Sequence, residues 1–256
     1  MASRTSERTR TYRIALAVFT PVVRWWGRLE ASGLEAMPES GPILLAGNHD
    51  SYWDPIAIGI AGLPRRQIRA LAKSQLWKNA ALGKALDGMG QIPIERGKGD
   101  AHALDRAIEE LRGGRCIGIF PEGTRTRGRT LRARSGFGRL AEMVPEAAIV
   151  CCTVEGTIDV GKFPKRPKIT VHFFKPAEGG LKPGESAGEL ASRLLEEIRA
   201  KAPIPAHNGW RESEQERIER EAESAAKRGE SQEAGAEGDA GGEEAAPPAS
   251  ETAQTR

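Results

Sequence analysis

The chain is 256 residues long, with 38 Lys+Arg against 35 Asp+Glu, a formal net charge of +3 and 39% hydrophobic residues. That charge averages two unlike parts: Arg211 to Arg256 holds 6 basic and 13 acidic residues, −7, which leaves +10 on residues 1–210. This composition excludes collagen-like, repeat and disulfide-scaffold classes, and what precedes the acidic segment suits one domain with a sizeable core.

The segment from Arg211 contains ten Ala and one Ile but no Leu, Val, Phe, Met or aromatic residue, too little apolar surface to offset the entropy of ordering. The expected organisation is a basic and apolar membrane-surface segment over 1–29, a folded domain over 30–206 and a disordered acidic tail over 207–256.

At the N-terminus, four Arg and one Glu precede the apolar run Ile14 to Val23, which ends in Arg24-Trp25-Trp26. The run is about half of the ~20 residues needed to cross a bilayer. No small-x-small cleavage site follows it, so it is expected to be retained. Arg flanks and paired Trp suit an amphipathic helix in the headgroup layer; an ordinary helix packed on the domain fits the same pattern. The +10 of the folded part favours an anionic partner, either membrane surface or phosphorylated substrate, without separating the two.

Ile43-Leu44-Leu45-Ala46, introduced by Gly41-Pro42, reads as a buried strand, and Pro55 opens a helix through Gly62. Ala70-Leu71-Ala72 and Gln91 to Ile94 are short strand candidates, the latter weakened by Pro93. Between Asp100 and Arg112, the apolar residues Ala103, Leu104, Ala107, Ile108 and Leu111 recur at helical spacing, and Gly113-Gly114 ends the helix.

Cys116 to Phe120 is the next strand, Ser135 to Val144 a helix and Ala148 to Val154 another strand. Lys168 to Phe174 alternates Ile169, Val171 and Phe173 inward, and Glu189 to Ala202 is an amphipathic helix. Strands alternating with helices predict a single α/β layered domain with a central, largely parallel sheet flanked by helices. Ligands then collect where strands end. Cys116, Cys151 and Cys152 all fall in strand-like runs, read as core filler in a reducing compartment.

Four segments carry chemistry. Asn48-His49-Asp50-Ser51-Tyr52-Trp53-Asp54-Pro55 follows a buried strand. In a continuous helix, residues five apart point about 140° away from each other, so His49 and Asp54 meet only if 48–53 is a turn and the helix starts at Pro55. Asp54 would then orient the imidazole of a general base; a plain helix N-cap is the competing role.

Phe120-Pro121-Glu122-Gly123-Thr124-Arg125-Thr126-Arg127 offers Gly123 for close backbone approach, the Thr124 hydroxyl and the planar fork of Arg125 for phosphate oxygens, with Glu122 placed to hold that fork. Gly90 to Gly97 delivers Arg96 at a strand end, and Ile149 to Thr157 is a β-branched strand closing in Gly156-Thr157.

In this order, N-H-x-S-x-x-D, G-x-I-x-I-x-R, F-P-E-G-T-R-T-R and the strand ending in Gly-Thr resemble the signature series of the glycerophosphate acyltransferase family, and in particular its 1-acylglycerol-3-phosphate acyltransferases, from about Trp26 to Ala202. The resemblance implies an acyltransferase domain over 30–206 that moves an acyl chain from acyl-CoA or acyl carrier protein to a hydroxyl at the cytoplasmic face of a membrane, as a peripheral or monotopic protein. It implies lysophosphatidic acid as acceptor and phosphatidic acid as product, with glycerol 3-phosphate or a lyso-ornithine lipid as alternative acceptors.

By the same resemblance, His49 matches the general base and Asp54 its relay partner, while Arg96, Glu122, Gly123, Thr124 and Arg125 match the phosphate grip, and Lys73 a basic residue that adds to it. Arg134-Ser135-Gly136 matches a K-x-G element with Arg for Lys, and Cys151-Cys152 stands where the family has a Pro-centred pair. The resemblance implies no cofactor or metal beyond the acyl thioester co-substrate, and no nucleic acid partner. Two rivals remain: a metal-dependent hydrolase using His49, Asp54 and Glu122, against which His102, His172 and His207 form no ligand-spaced pair, and a non-catalytic basic membrane-binding module.

Overall fold

The computed structural model describes residues 8–95, 100–164 and 166–205. Arg96 and the expected tail over 207–256 lie outside the described residues.

Seven strands, β1 (Glu30–Ser32), β2 (Ile43–Gly47), β3 (Ile68–Lys73), β4 (Ile92–Ile94), β5 (Cys116–Ile119), β6 (Ala148–Glu155) and β7 (Thr170–Phe174), form one sheet in the order β1-β7-β6-β2-β5-β3-β4. Pairing is parallel from β6 through β4, and β7 joins antiparallel to β6, with β1 parallel to β7. The sheet is therefore the largely parallel one expected, with two strands reversed along one edge.

Helices α1 (Arg10–Thr20), α2 (Asp54–Gly62), α3 (Ala80–Gly88), α4 (Ala101–Arg112), α5 (Gly136–Met143) and α6 (Ala187–Lys201) complete the layers. Central β2 alternates its side chains between them. Ile43 and Leu45 join the core beneath α1 and α2, while Leu44 and Ala46 join the core beneath α4, α5 and α6. Cys151 and Cys152 are split between these two cores by the same alternation. All three cysteines are buried and unbridged, the core role expected of them.

Two elements escaped the sequence reading. β1 is a three-residue exposed strand without hydrophobic alternation, held by pairing with β7. In α3, Gly83 and Gly88 blur the periodicity, and the helix is started by Asn79, whose side chain accepts from the backbone N–H groups of Ala81 and Leu82. Pro93 lies in β4 at the sheet edge, where a missing N–H costs no central ladder bond.

α1 both packs and presents apolar surface. Tyr12 and Leu16 are buried against the domain, with the Tyr12 hydroxyl accepting from the backbone N–H of Ile68. At Pro21 the helix loses an N–H and continues as a π-helical turn, Pro21–Trp26, closed by Gly27 N–H donating to Val22 O at 2.8 Å. Its outer side leaves Ile14 and Val18 66% and Trp25 74% exposed. No helix among the described residues is long and apolar enough to cross a membrane.

Candidate active site

The C-terminal ends of the parallel strands converge on one edge of the sheet: β2 runs into His49, β5 into Glu122, β6 into Thr157, and Lys73 is the last residue of β3. The segment between β2 and α2 is a turn through Trp53, and α2 begins at Asp54 with Pro55 in its first turn. The condition for His49 and Asp54 to meet is thus satisfied: His49 Nδ1 lies 2.9 Å from Asp54 Oδ2.

That oxygen also accepts from the backbone N–H groups of Asp50 at 2.6 Å and Ser51 at 2.7 Å, and Oδ1 accepts from the Thr157 hydroxyl. Asp54 therefore ties the turn and the imidazole together, and it is itself the first helical residue of α2, not its N-cap. Because donors surround this carboxyl, Nδ1 is the nitrogen that donates, and Nε2 is the basic one in the neutral ring. The ring is buried and stacked on Phe120, with centroids 4.2 Å apart and planes at 11°.

The 120–127 loop grips His49 by its main chain. The N–H of His49 donates to Glu122 Oε2 at 2.7 Å, and its carbonyl accepts from Thr126 N–H at 2.9 Å. Sequence reasoning paired Glu122 with the fork of Arg125 and gave no place to Arg199, whose Nε donates to Glu122 Oε1 at 2.8 Å. Arg199 also donates to both oxygens of Asp50, at 3.0 and 2.9 Å. Asp50 further accepts from the Thr126 hydroxyl and from Asn48 Nδ2.

Burial pushes the Glu122 carboxyl up to about 7, against the opposing pull of Arg199 and the His49 N–H. Burial pushes Asp50 the same way, but hydrogen bonds from Arg199 and Thr126 outweigh it and hold the carboxyl below its usual range. Burial also lifts the Cys151 thiol to about 12 and Cys152 well above its ordinary value, which leaves neither as a thiolate nucleophile.

Gly123 has φ +72°, a left-handed conformation that favours glycine, and an added Cβ would come within 3.1 Å of the Arg134 side chain. Arg125 lies 3.5 Å over the ring of Tyr52, which joins the loop to the turn by a cation–π contact. Thr124 is half-buried, and Lys73, also half-buried, is in register with Ile94 of β4. Lys73 is two strands from β2, roughly 10 Å at about 4.8 Å per strand spacing.

The structure thus brings His49, Asp54, Glu122, Gly123, Thr124 and Arg125 into one contiguous site, with Lys73 on the same sheet edge. Sequence reasoning missed Asp50, Tyr52, Phe120, Thr126 and Arg199 as contributors. It noted Thr157 only as the end of a strand. Among the described residues no group of three or more His, Cys, Asp or Glu could hold a metal ion.

A family model described as Acyltransferase matches residues 28–155, half of the chain. The chain is 28% identical over 165 residues to the 1-acyl-sn-glycerol-3-phosphate acyltransferase of Bacillus subtilis, covering 64% of this chain and 81% of that one. It is 33% identical over 135 residues to the lyso-ornithine lipid O-acyltransferase of Pseudomonas aeruginosa, half of each chain. In fold it is similar to the crystal structure of the 1-acyl-sn-glycerophosphate (LPA) acyltransferase PlsC from Thermotoga maritima, with a TM-score of 0.51, 18% identity and coverage of 76% of this chain and 84% of that one. The matched span contains the His49–Asp54 turn and the Glu122–Arg125 loop, and the chain belongs to the acyltransferase family.

Proposed function

We propose that this acyltransferase moves a fatty acyl chain from an acyl thioester, coenzyme A or acyl carrier protein, to the free hydroxyl of 1-acyl-sn-glycerol 3-phosphate, giving phosphatidic acid. The observation that carries the reading is the buried His49–Asp54 pair at the sheet edge, with Arg125 stacked on the turn that bears it. Asp54 holds Nδ1, and Nε2 of His49 takes the proton of the acceptor hydroxyl as its oxygen attacks the thioester carbonyl. A tetrahedral oxyanion forms; its collapse breaks the C–S bond, and the departing thiolate takes the proton back from His49. No acyl-enzyme is needed, in keeping with cysteines that burial holds as thiols. Arg125, with Arg96 and Lys73, supplies positive charge for the acceptor phosphate.

The reaction is proposed to run at the cytoplasmic face of a membrane. Ile14, Val18 and Trp25 are exposed along α1 and the π-helical turn that continues it, with Arg10, Arg13 and Arg24 also exposed there, and Phe19 meets Trp53, edge to face at 6.0 Å, beside Tyr52 and Arg125. A helix lying in the headgroups by these residues would set the site at the depth of a lysolipid.

Thiol release from acyl-CoA and acyl carrier protein, with a panel of lysophosphatidic acid, glycerol 3-phosphate and a lyso-ornithine lipid on anionic vesicles, tests both parts. Lysophosphatidic acid should give the highest kcat/KM, and the double variant Val18→Glu/Trp25→Glu should lose vesicle co-sedimentation. A preference for the lyso-ornithine lipid, the acceptor class named for the Pseudomonas relative, would refute the phosphate assignment. Undiminished co-sedimentation of the double variant would refute docking through α1.

A further inference from the structure

We propose that Arg199, on the last turn of α6, is a positioning residue for acyl transfer: its guanidinium locks Asp50 and Glu122 together and through them fixes the main chain on both sides of His49. The inference rests on the assignment of His49 as base. Its ground is a closed ring of contacts. Arg199 bonds Glu122 Oε1, and Glu122 Oε2 takes the N–H of His49. The carbonyl of His49 takes the N–H of Thr126, whose hydroxyl donates to Asp50, and Asp50 returns to Arg199 by both its oxygens.

Every member of the ring is buried except Arg199, whose side chain is 13% exposed. The ring joins three segments distant in the chain: the turn after β2, the loop after β5 and the end of α6. One cation serves two carboxylates, through nitrogens that lie in one plane. A lysine ammonium keeps the charge but presents no fork and cannot reproduce this geometry.

Among the described residues, the charged groups that act most on Glu122 are Arg199 from α6 and Asp50 from the turn, one favouring its ionised form and one opposing it. Removing the cation leaves two buried carboxylates together, and Glu122 then takes up a proton at higher pH. A protonated Glu122 holds the His49 N–H less strongly, since charge-assisted hydrogen bonds are the stronger ones. Arg199 Nη1 also donates to Ala202 O at 3.3 Å, so a test must separate positioning from capping of α6.

The full chain and its variants Arg199→Met, Arg199→Lys, Glu122→Gln and Glu122→Gln/Arg199→Met are compared by rate against pH with acyl-CoA and lysophosphatidic acid, and by 13C-carboxyl NMR titration of Glu122. Arg199→Met should lower kcat at least tenfold with the acceptor KM within twofold, and should move the acid limb of the kcat profile up by roughly one pH unit, a tenfold change in proton affinity. Arg199→Lys should show the same shifts, smaller; it carries the test if Arg199→Met does not fold. In the Glu122→Gln background, Arg199→Met should leave the acid limb in place. The proposal is overturned if either folded Arg199 variant keeps the wild-type kcat and limb, or if its loss lies wholly in KM. Should the unaltered chain transfer no acyl group to any acceptor, the proposed function is what fails. The NMR titration then decides the clamp, and a Glu122 signal that titrates alike with and without Arg199 overturns it.

Discussion

The turn over 48–54 and the loop over 120–127 meet at one histidine, yet they are built by opposite means. The turn carries its own brace: Asp54 collects the imidazole of His49 and the N–H groups of Asp50 and Ser51, all within six residues, and among the described residues Thr157 reaches in to Asp54 from afar. The loop is held from outside. Its acid is paired by Arg199, 77 residues on, and its arginine is stacked on Tyr52 of the turn. Local contacts make a pair whose chemistry can be read from spacing, whereas a loop held from outside takes its meaning from what it meets.

The sharpest way to break this comparison is through the turn. His49→Ala should lower turnover by about 10²- to 10⁴-fold, the usual worth of general acid–base help. Its melting temperature should stay close to that of the unaltered chain, because the Asp54 bonds to Asp50 and Ser51 do not pass through the ring. A variant retaining more than a few per cent of turnover would remove His49 from the chemistry.

Next in size, Arg125→Ala should raise the KM for a phosphorylated acceptor about tenfold, the loss of one charged hydrogen bond of about 1.5 kcal/mol or more. The KM for the acyl donor should not move, and a change confined to the donor would assign the loop to the other substrate. Smallest is Gly123→Ala, where a φ of +72° costs an L-residue about 1–2 kcal/mol and the new Cβ meets Arg134. Denaturant unfolding should detect that loss, and an unchanged midpoint would mean the loop tolerates left-handed strain through slack in Arg134.

Much of the scaffold was legible because its signals are local. The apolar runs of β2, β5 and β6, the helical spacing in α4 and the alternation of Ile169, Val171 and Phe173 match what folded. β1 and α3 were not legible: Glu30–Ser32 is a strand through its partner β7, and the glycines of α3 dilute its pattern. Within the site, Pro55 and the five-residue offset set the condition for a turn, and the N-cap alternative for Asp54 was removed only by the observed helix start at Asp54. Glu122 could be placed on a loop, but Arg199 could not be found as its cation, and the neighbouring Arg125 was chosen instead. Arg199 sits on the polar last turn of an amphipathic helix, where arginine is ordinary, and nothing near it in the chain marks it as part of a site.

What the sequence determined by itself is the α/β class, the strand ends on which chemistry-bearing residues sit and the condition under which His49 meets Asp54, because hydrophobic period, proline and short offsets act over a few residues. Only the tertiary structure decided that Glu122 and Asp50 share Arg199, that Thr157 completes Asp54 and that Phe120 backs the imidazole. Those contacts form between strand ends brought side by side by the order β6-β2-β5 and a helix that closes on them. Their energy comes from burial of charge and hydrogen bonds away from water, which no local pattern encodes.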